Sequence, residues 1–145
     1  MNFLRPSLRN QAGFTLIELV IIIVVLGILA AVAIPKYFNM IDDAKESACK
    51  GALGGLRSGI SIYYANQALQ TGTAGWPEID SLRAIGVVME QIIPKNPYQS
   101  AGNAPDSIVT GVTKGVIVGT RGGWAYKPST GEIWANTSVD GENNF

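Results

Sequence analysis

Glu18 is the residue whose position most needs a chemical explanation. It is the single charge in the 21-residue apolar run from Phe14 to Ile34, which contains no basic residue. A carboxylate near the interior of a membrane costs roughly 2.5 to 3.5 kcal/mol on insertion scales, so we expect it to have a partner and a function. Either Glu18 pairs with a cation from outside the run, or it lies shallow enough to reach the headgroups.

The rest of the chain offers few groups for catalysis or metal binding. It has no histidine and one cysteine, so the common nucleophile–base sets and multi-cysteine metal sites are excluded. Asp140 and Glu142 are too few ligands to support a calcium site. Eleven basic and eleven acidic residues cancel, which leaves no basic field for nucleic acid. We predict a protein that is not an enzyme, needs no metal or cofactor, and has no nucleic acid as its primary ligand.

The apolar run predicts a helix that spans a membrane. At ~1.5 Å per residue it reaches ~31 Å, close to the ~30 Å of a hydrocarbon core. Arg5 and Arg9 precede it without any acid, so the amino terminus should stay cytoplasmic, with residues 36–145 on the far side. A secretory signal peptide is the rival interpretation, since residues 30–33 could pass for a cleavage site. The polar leader ahead of the run favours a helix retained in the mature protein.

One motif joins the polar leader to the apolar run. It reads Gly13-Phe14-Thr15-Leu16-Ile17-Glu18-Leu19, and the helix behind it contains Gly27 and Pro35. Together these features resemble the type IV pilin and pseudopilin superfamily, over roughly residues 9–69. The resemblance implies that a prepilin peptidase cuts between Gly13 and Phe14, and that Phe14 becomes N-methylphenylalanine. Gly13 suits such a cut because an extended residue without a side chain fits a peptidase cleft easily.

The resemblance also implies a partner for Glu18. After cleavage the amino group of Phe14 is a cation, and in this superfamily the acid of an incoming subunit meets the amino terminus of one already in the filament. In a low-dielectric bundle such a pair is stronger than in water, and it fixes the axial register. Glu18 and Phe14 are therefore the predicted assembly residues.

Gly27 and Pro35 are the predicted sites of helix flexibility. Proline removes one backbone hydrogen bond and should kink or loosen the helix near Ala31, while glycine is a poor helix former. Both residues are also tolerated in ordinary membrane helices, so that interpretation stays open. The resemblance implies instead that the stretch between them unwinds as the filament packs, which would make the filament extensible.

Four segments and an α+β, pilin-like fold are predicted. A long N-terminal helix, embedded in a membrane or filament core over its apolar half, packs on a small antiparallel β-sheet head. The segments are a leader removed by the peptidase over residues 1–13, a hydrophobic transmembrane and assembly helix over 14–35, its amphipathic continuation over 36–69, and a globular head over 70–145.

The amphipathic continuation should pack one face against the head. Its apolar stripe, at three- and four-residue steps, consists of Tyr37, Ile41, Ala44, Ala48, Ala52, Leu56, Ile60 and Tyr63. Four glycines weaken this helix, and they either admit the sheet closely or mark a bend: Gly51, Gly54, Gly55 and Gly59. Cys49 should be a small buried residue, or else an intermolecular thiol.

The head pattern changes from helix to strand along the chain. Residues 78–86 predict a short helix, with Ile79, Leu82 and Ile85 facing inward. Strands are predicted over residues 115–120, 123–127 and 132–137, with a turn at Pro128-Ser129-Thr130-Gly131 between the last two. Alternation along the last strand places Ile133 and Ala135 on one face of the sheet and Trp134 on the other. The aromatic side chains of Trp124, Tyr126 and Trp134 are expected to pack in the head and not to form a surface that binds a ligand.

The predicted function is structural: a subunit that polymerises into a type IV pilus for adhesion, motility or DNA uptake. One alternative is a pseudopilin of a type II secretion system, and a more distant one is a membrane-anchored binding module that never polymerises. The implied partners are the prepilin peptidase, other copies of the chain, minor pilins, and an inner-membrane assembly platform. The precursor should cross the inner membrane once. The mature subunit should lie in an extracellular pilus, or in the periplasm as a pseudopilin.

Overall fold

The structure, a computed structural model, describes residues 13–137 and 141–145. The chain divides into two compact units, Met1–Met40 and Ile41–Phe145. Apart from Gly13, the predicted leader lies outside the described residues. The elements in chain order are helix α1 over Leu16–Thr71, helix α2 over Ile79–Arg83, a 3₁₀ turn over Ala101–Asn103, strand β1 over Ile108–Thr110, strand β2 over Trp124–Lys127, strand β3 over Glu132–Ala135, and a 3₁₀ turn over Glu142–Asn144.

The apolar run forms the first part of α1. Every residue from 16 to 40 is helical and exposed in this structure. Among the described residues, α1 is the one helix long and apolar enough to cross a membrane. The helix continues through Gly27 and Pro35. The unwinding expected between these two residues therefore stays a prediction.

In the second unit, α1 packs through a face that differs in part from the predicted stripe. Leu56 and Ile60 are buried as expected, but Ala44 and Ala48 are exposed, and the other fully buried positions are Cys49 and Leu53. Cys49, Leu53, Leu56 and Ile60 follow one another at steps of four, three and four residues, so they form one helix face, and the head covers this face. Cys49 is buried in the core, as predicted.

Only one of the four helix glycines is explained by close packing within the chain. A Cβ atom built on Gly59 would lie 2.9 Å from the main-chain oxygen of Val88. At Gly51, Gly54 and Gly55 a Cβ atom would meet no heavy atom within 4 Å. The connection after α2 thus comes close to α1 at Gly59, while the sheet requires none of the other three glycines.

The three strands form a mixed sheet in the order β1-β2-β3. β2 and β3 are an antiparallel hairpin that pairs Trp124 with Ala135 and Tyr126 with Ile133. Gly131 closes the predicted turn with φ +71° and donates its amide to the main-chain oxygen of Lys127. β1 pairs with β2 in parallel. The α+β pilin-like fold is confirmed, but the expectation of an all-antiparallel sheet is wrong for this second pair.

Two predicted elements of the head differ in the structure. Residues 115–120 form no strand, because Gly115 and Gly119 adopt φ +79° and +61° and interrupt the extended β-branched run. The helix predicted for residues 78–86 is only the five-residue α2, which ends where Ala84 becomes extended. Leu82 is buried as expected, but Ile85 lies beyond the helix end and is exposed.

The aromatic residues of the hairpin fill both faces of the sheet. Trp124 and Tyr126 join the main core together with Ile133 and Ala135, whereas Trp134 is buried on the other side. The indole nitrogen of Trp134 donates to the main-chain oxygen of Val116 at 3.0 Å, so this ring lies beneath the loop between β1 and β2. The predicted division of faces and the packing role of these aromatics are confirmed.

Tyr126 gives the head a dependence on alkaline pH. Its hydroxyl donates to the main-chain oxygen of Pro77 at 2.8 Å, and burial, with smaller effects of Glu78 and Tyr63, raises its pKa from 10.0 to about 12. The folded chain therefore keeps this proton where the unfolded chain loses it, and Tyr126 should destabilise the fold progressively between about pH 10 and pH 12, with no effect at lower pH.

This expectation is tested by chemical unfolding of the whole chain in detergent over that pH range. Tyr126→Phe removes the titrating group but keeps the ring in the core. The loss of unfolding free energy between the two ends of the range should be smaller in the variant than in the wild type. Equal losses would show that Tyr126 does not contribute.

Candidate assembly site

The predicted cleavage bond lies just ahead of α1. Gly13 and Phe14 precede the helix and are both exposed. A Cβ atom built on Gly13 would meet no heavy atom within 4 Å. In the described part of the chain the Gly13–Phe14 peptide bond is thus accessible, and nothing in the fold itself requires glycine at this position.

Thr15 and Glu18 close the first turn of α1 through reciprocal hydrogen bonds. The Thr15 amide donates to Oε2 of Glu18 at 2.8 Å, and the Thr15 hydroxyl donates to the same oxygen at 2.7 Å. The Glu18 amide approaches Oγ1 of Thr15 at 3.3 Å and donates to it. This arrangement is a capping box, and the helix amino terminus also favours a negative charge there. The acid is therefore held in one orientation at the start of the apolar helix.

Thr15 was not among the predicted site residues, although the sequence carries its signal. A threonine three residues ahead of a glutamate, at the start of an apolar run, is typical of a capped helix. Glu18 thus has a partner in its own chain. Both Thr15 bonds go to Oε2, and an ionised carboxylate offers about four acceptor positions, so Glu18 keeps capacity for a second, charged partner.

The surroundings of Glu18 are apolar and uncovered. It is the single ionisable side chain between Phe14 and Ile34, and all side chains of that range are exposed in the isolated chain. An apolar surface of this extent is expected to be covered by lipid or by other protein. The segment therefore presents one oriented carboxylate on a helix that needs an apolar environment.

Gly27 and Pro35 lie farther along α1 and do not join this site. Nine residues of helix, or ~14 Å, separate Glu18 from Gly27. A Cβ atom at Gly27 would meet nothing within 4 Å, so intramolecular packing does not explain this glycine. The structure brings Glu18 together with Thr15, and the cleavage, methylation, pairing and flexibility roles of the predicted residues stay predictions.

Metal binding finds no support within the described ranges. Over residues 13–137 and 141–145, no group of three or more His, Cys, Asp or Glu side chains could hold a metal ion. Asp140, which was considered for a calcium site, lies outside those ranges.

Comparison with protein families gives one match at the amino terminus. The family described as "Prokaryotic N-terminal methylation motif" matches residues 8–34. That range contains the Gly13–Phe14 bond, the capping box and the whole apolar run. No solved structure matched the chain.

Three similar proteins show how far the likeness extends. Fimbrial protein EcpC of Eikenella corrodens is 32% identical over 111 residues, which cover 73% of this chain and 69% of that protein. Type II secretion system core protein G of Pseudomonas aeruginosa is 40% identical over 55 residues, or 38% of this chain and 39% of that protein. Type IV major pilin protein PilE1 of Neisseria gonorrhoeae is 35% identical over 104 residues, or 72% and 44%. The chain thus spans less than half the length of the last two.

Proposed function

Because the chain belongs to the type IV pilin superfamily, we propose that it is a structural subunit that polymerises into a type IV pilus. One observation carries this proposal above the others: the apolar run of α1, exposed at every residue from 16 to 40, starts with a single acid held in a capping box. Such a helix needs lipid before assembly and other helices after it. The pilus would then serve adhesion, motility or DNA uptake.

Maturation is proposed to begin with removal of the leader, residues 1–13. A prepilin peptidase cuts the accessible bond after Gly13, and the new amino terminus of Phe14 is methylated. The methylation motif matched over residues 8–34 supports this order of events. Because this cut lies ahead of the apolar run, the mature subunit keeps the whole apolar helix.

Before assembly, residues 14–35 are proposed to hold the subunit in the inner membrane. Arg5 and Arg9 keep the leader cytoplasmic, so residues 36–69 and the head, 70–145, lie on the far side. Proposed partners at this stage are the assembly platform of the inner membrane and minor pilins. The mature subunit then leaves the bilayer for an extracellular filament.

Assembly is proposed to pair Glu18 with the amino group of Phe14 on a neighbouring subunit. Thr15 holds Oε2 of Glu18, which sets the direction of the carboxylate without exhausting its acceptor positions. A charged partner offsets the cost of moving the acid into the apolar filament core. The pair forms only at one axial offset, so it also specifies the register of the filament.

A second candidate is a pseudopilin of a type II secretion system. The 40% identity with core protein G over 55 residues favours it. The pilus is preferred because the likeness to EcpC and to PilE1 extends over 111 and 104 residues. As a structural subunit of either kind, the chain would have no catalytic role.

Deletion of the gene, followed by restoration of the wild-type chain, distinguishes these functions. Loss of surface filaments by electron microscopy, with normal secretion, supports the pilus. Loss of secretion without any change in surface filaments supports the pseudopilin. A chain that stays monomeric in the membrane under crosslinking, with neither phenotype, would contradict both and favour a binding module.

A further inference from the structure

The sheet has two outer edges, and the hydrogen bonds between β1 and β2 show which main-chain groups face the first of them. Ser107 accepts from the amide of Trp124 at 3.1 Å, and the amide of Gly111 donates to a main-chain oxygen of β2 at 2.7 Å. Alternate residues of a strand bond to the neighbour on one side, so the main-chain groups of Ile108 and Thr110 point away from β2. These two residues form the free edge of the sheet at β1, called the β1 edge.

The second outer edge, along β3, is covered by other parts of the chain. Nη2 of Arg57 donates to the main-chain oxygen of Ile133 at 3.2 Å, which ties this edge to α1. Just beyond the strand, the amide of Thr137 donates to Oδ1 of Asn143 at 2.9 Å. Residues 133–135 are buried. A strand from another chain therefore has no open access to β3.

At the β1 edge, an arginine from α2 provides the cover. Nη2 of Arg83 donates to the main-chain oxygen of Ile108 at 2.8 Å, and Nη1 donates to Oδ1 of Asp80 at 3.3 Å. Ile108 is buried, whereas Thr110 is exposed. The guanidinium group thus occupies an acceptor that a strand added to this edge would need, and Asp80 orients the group.

The sequence around β1 is of a kind that pairs readily between chains. Residues 107–113 include no charge and no proline, and five of the seven are β-branched. Short uncharged segments of high β propensity are those that stack strand on strand in aggregates. Val112, just past the strand, is 77% exposed, so the head does not hide the whole segment. Asp106 and Lys114 flank it on either side, where charges limit such pairing.

We propose that the β1 edge is a surface for strand addition, and that Arg83 keeps it closed to β1 of a second copy. A second copy is the partner because identical segments pair in register, and both copies then supply the same uncharged residues 107–113. The guanidinium group blocks this pairing in two ways. It fills the acceptor at Ile108, and it places a charge where an incoming strand would bury it.

Closure of this edge matters most for subunits that share a membrane. An added strand is held by main-chain hydrogen bonds, which any extended segment can form. Heads paired in this way would be joined without the axial offset that the proposed pairing of Glu18 with Phe14 specifies. Strand addition requires two copies but no filament, so it can be measured in detergent, apart from pilus assembly.

Arg83→Ala should make the whole chain aggregate in detergent through β-pairing. Thioflavin T fluorescence and light scattering, followed over time at equal protein concentration, should rise at least about fivefold faster than in the wild type, because an open acceptor replaces a filled one. Arg83→Lys is the matched control, since its ammonium group keeps the charge at the edge and offers a donor to Ile108. This variant should remain close to the wild type.

Two changes at Thr110 separate the opened edge from any loss of stability. Thr110→Pro removes an amide that points away from β2, so it blocks strand addition without breaking the ladder. Thr110→Lys places a charge at the same point and serves if the proline variant does not fold. Combined with Arg83→Ala, either change should return aggregation to the wild-type rate, although the urea midpoint of the double variant should not exceed that of Arg83→Ala.

Two results would overturn the closed edge. One is equal aggregation of Arg83→Ala and the wild type, and the other is aggregation of Arg83→Ala that neither change at Thr110 slows. A double variant that aggregates slowly but has a raised urea midpoint would also count against it. None of these results affects the proposed pilus, which is judged by the surface filaments of the wild-type chain.

Discussion

Filament assembly is expected to stop when Glu18 is replaced by Gln, Ala or Val, while cleavage and membrane insertion continue. Removing one partner of a buried charge pair costs roughly 2 to 5 kcal/mol, so filament yield should fall by about thirtyfold or more. The measurement compares sheared filaments with membrane-bound subunit by immunoblot. Glu18→Gln is the most informative variant, because glutamine retains an acceptor for the capping box but has no charge.

Thr15→Val is the matched control for this prediction. It removes the hydroxyl that donates to Glu18 Oε2 but leaves the carboxylate charged. Loss of a capping side chain costs about 0.5 to 2 kcal/mol, so the helix start should loosen and assembly should decrease less than in Glu18→Gln. The two variants thus separate the charge of the acid from its role in the cap.

A larger loss of assembly in Thr15→Val than in Glu18→Gln would contradict the pairing of Glu18 with the amino group of Phe14. If Glu18→Gln assembles normally and Thr15→Val does not, the acid serves the start of the helix and not a neighbouring amino group. If Glu18→Ala also assembles normally, neither role is needed for the filament.

Processing is expected to fail when Gly13 is replaced by Val. The described structure places no atom within 4 Å of a Cβ at this position, so the fold should tolerate the change. The peptidase should not, because a branched side chain next to the cut bond must fit the cleft of the enzyme. The subunit should accumulate with its first thirteen residues attached, as shown by its intact mass and by amino-terminal sequencing.

The wild type and Gly13→Ala are the controls for this second prediction. The mature wild-type subunit should begin at Phe14 and carry one added methyl group, and the alanine variant should be cut to an intermediate extent. If Gly13→Val is processed normally, the peptidase does not cut the bond after residue 13. A mature protein that begins near Ile34 would mean that an ordinary signal peptidase removes the apolar run.

Local sequence patterns predicted those parts of the fold that depend on neighbouring residues. The length of the apolar run predicts a long helix, and α1 runs over Leu16–Thr71. The Pro128–Gly131 pattern predicts a turn, and the alternation around Trp134 predicts its separation from Ile133. Each of these results follows from backbone preferences or from periodicity within a few residues. The capping box of Thr15 and Glu18 belongs to this class as well.

Other features depend on contacts between distant segments. Nothing within residues 108–110 specifies that β1 pairs in parallel with β2, because that choice depends on how the intervening loop returns to the sheet. The buried positions Cys49 and Leu53 follow from where the sheet lies against α1, not from the spacing of alanines. Residues 115–120 have strand composition, but Gly115 and Gly119 take positive φ and the run forms a loop.

The sequence by itself determined the apolar helix with its single acid, the motif over residues 13–19 and the hairpin, since these depend on composition, spacing and turn chemistry along the chain. Only the tertiary structure decided the mixed pairing of the sheet, the buried face of α1, and the exposure of Ile85, Ile92 and Val112. The physical reason is that burial and strand pairing join residues far apart in sequence. Their free energies depend on which surfaces meet and not on local preference.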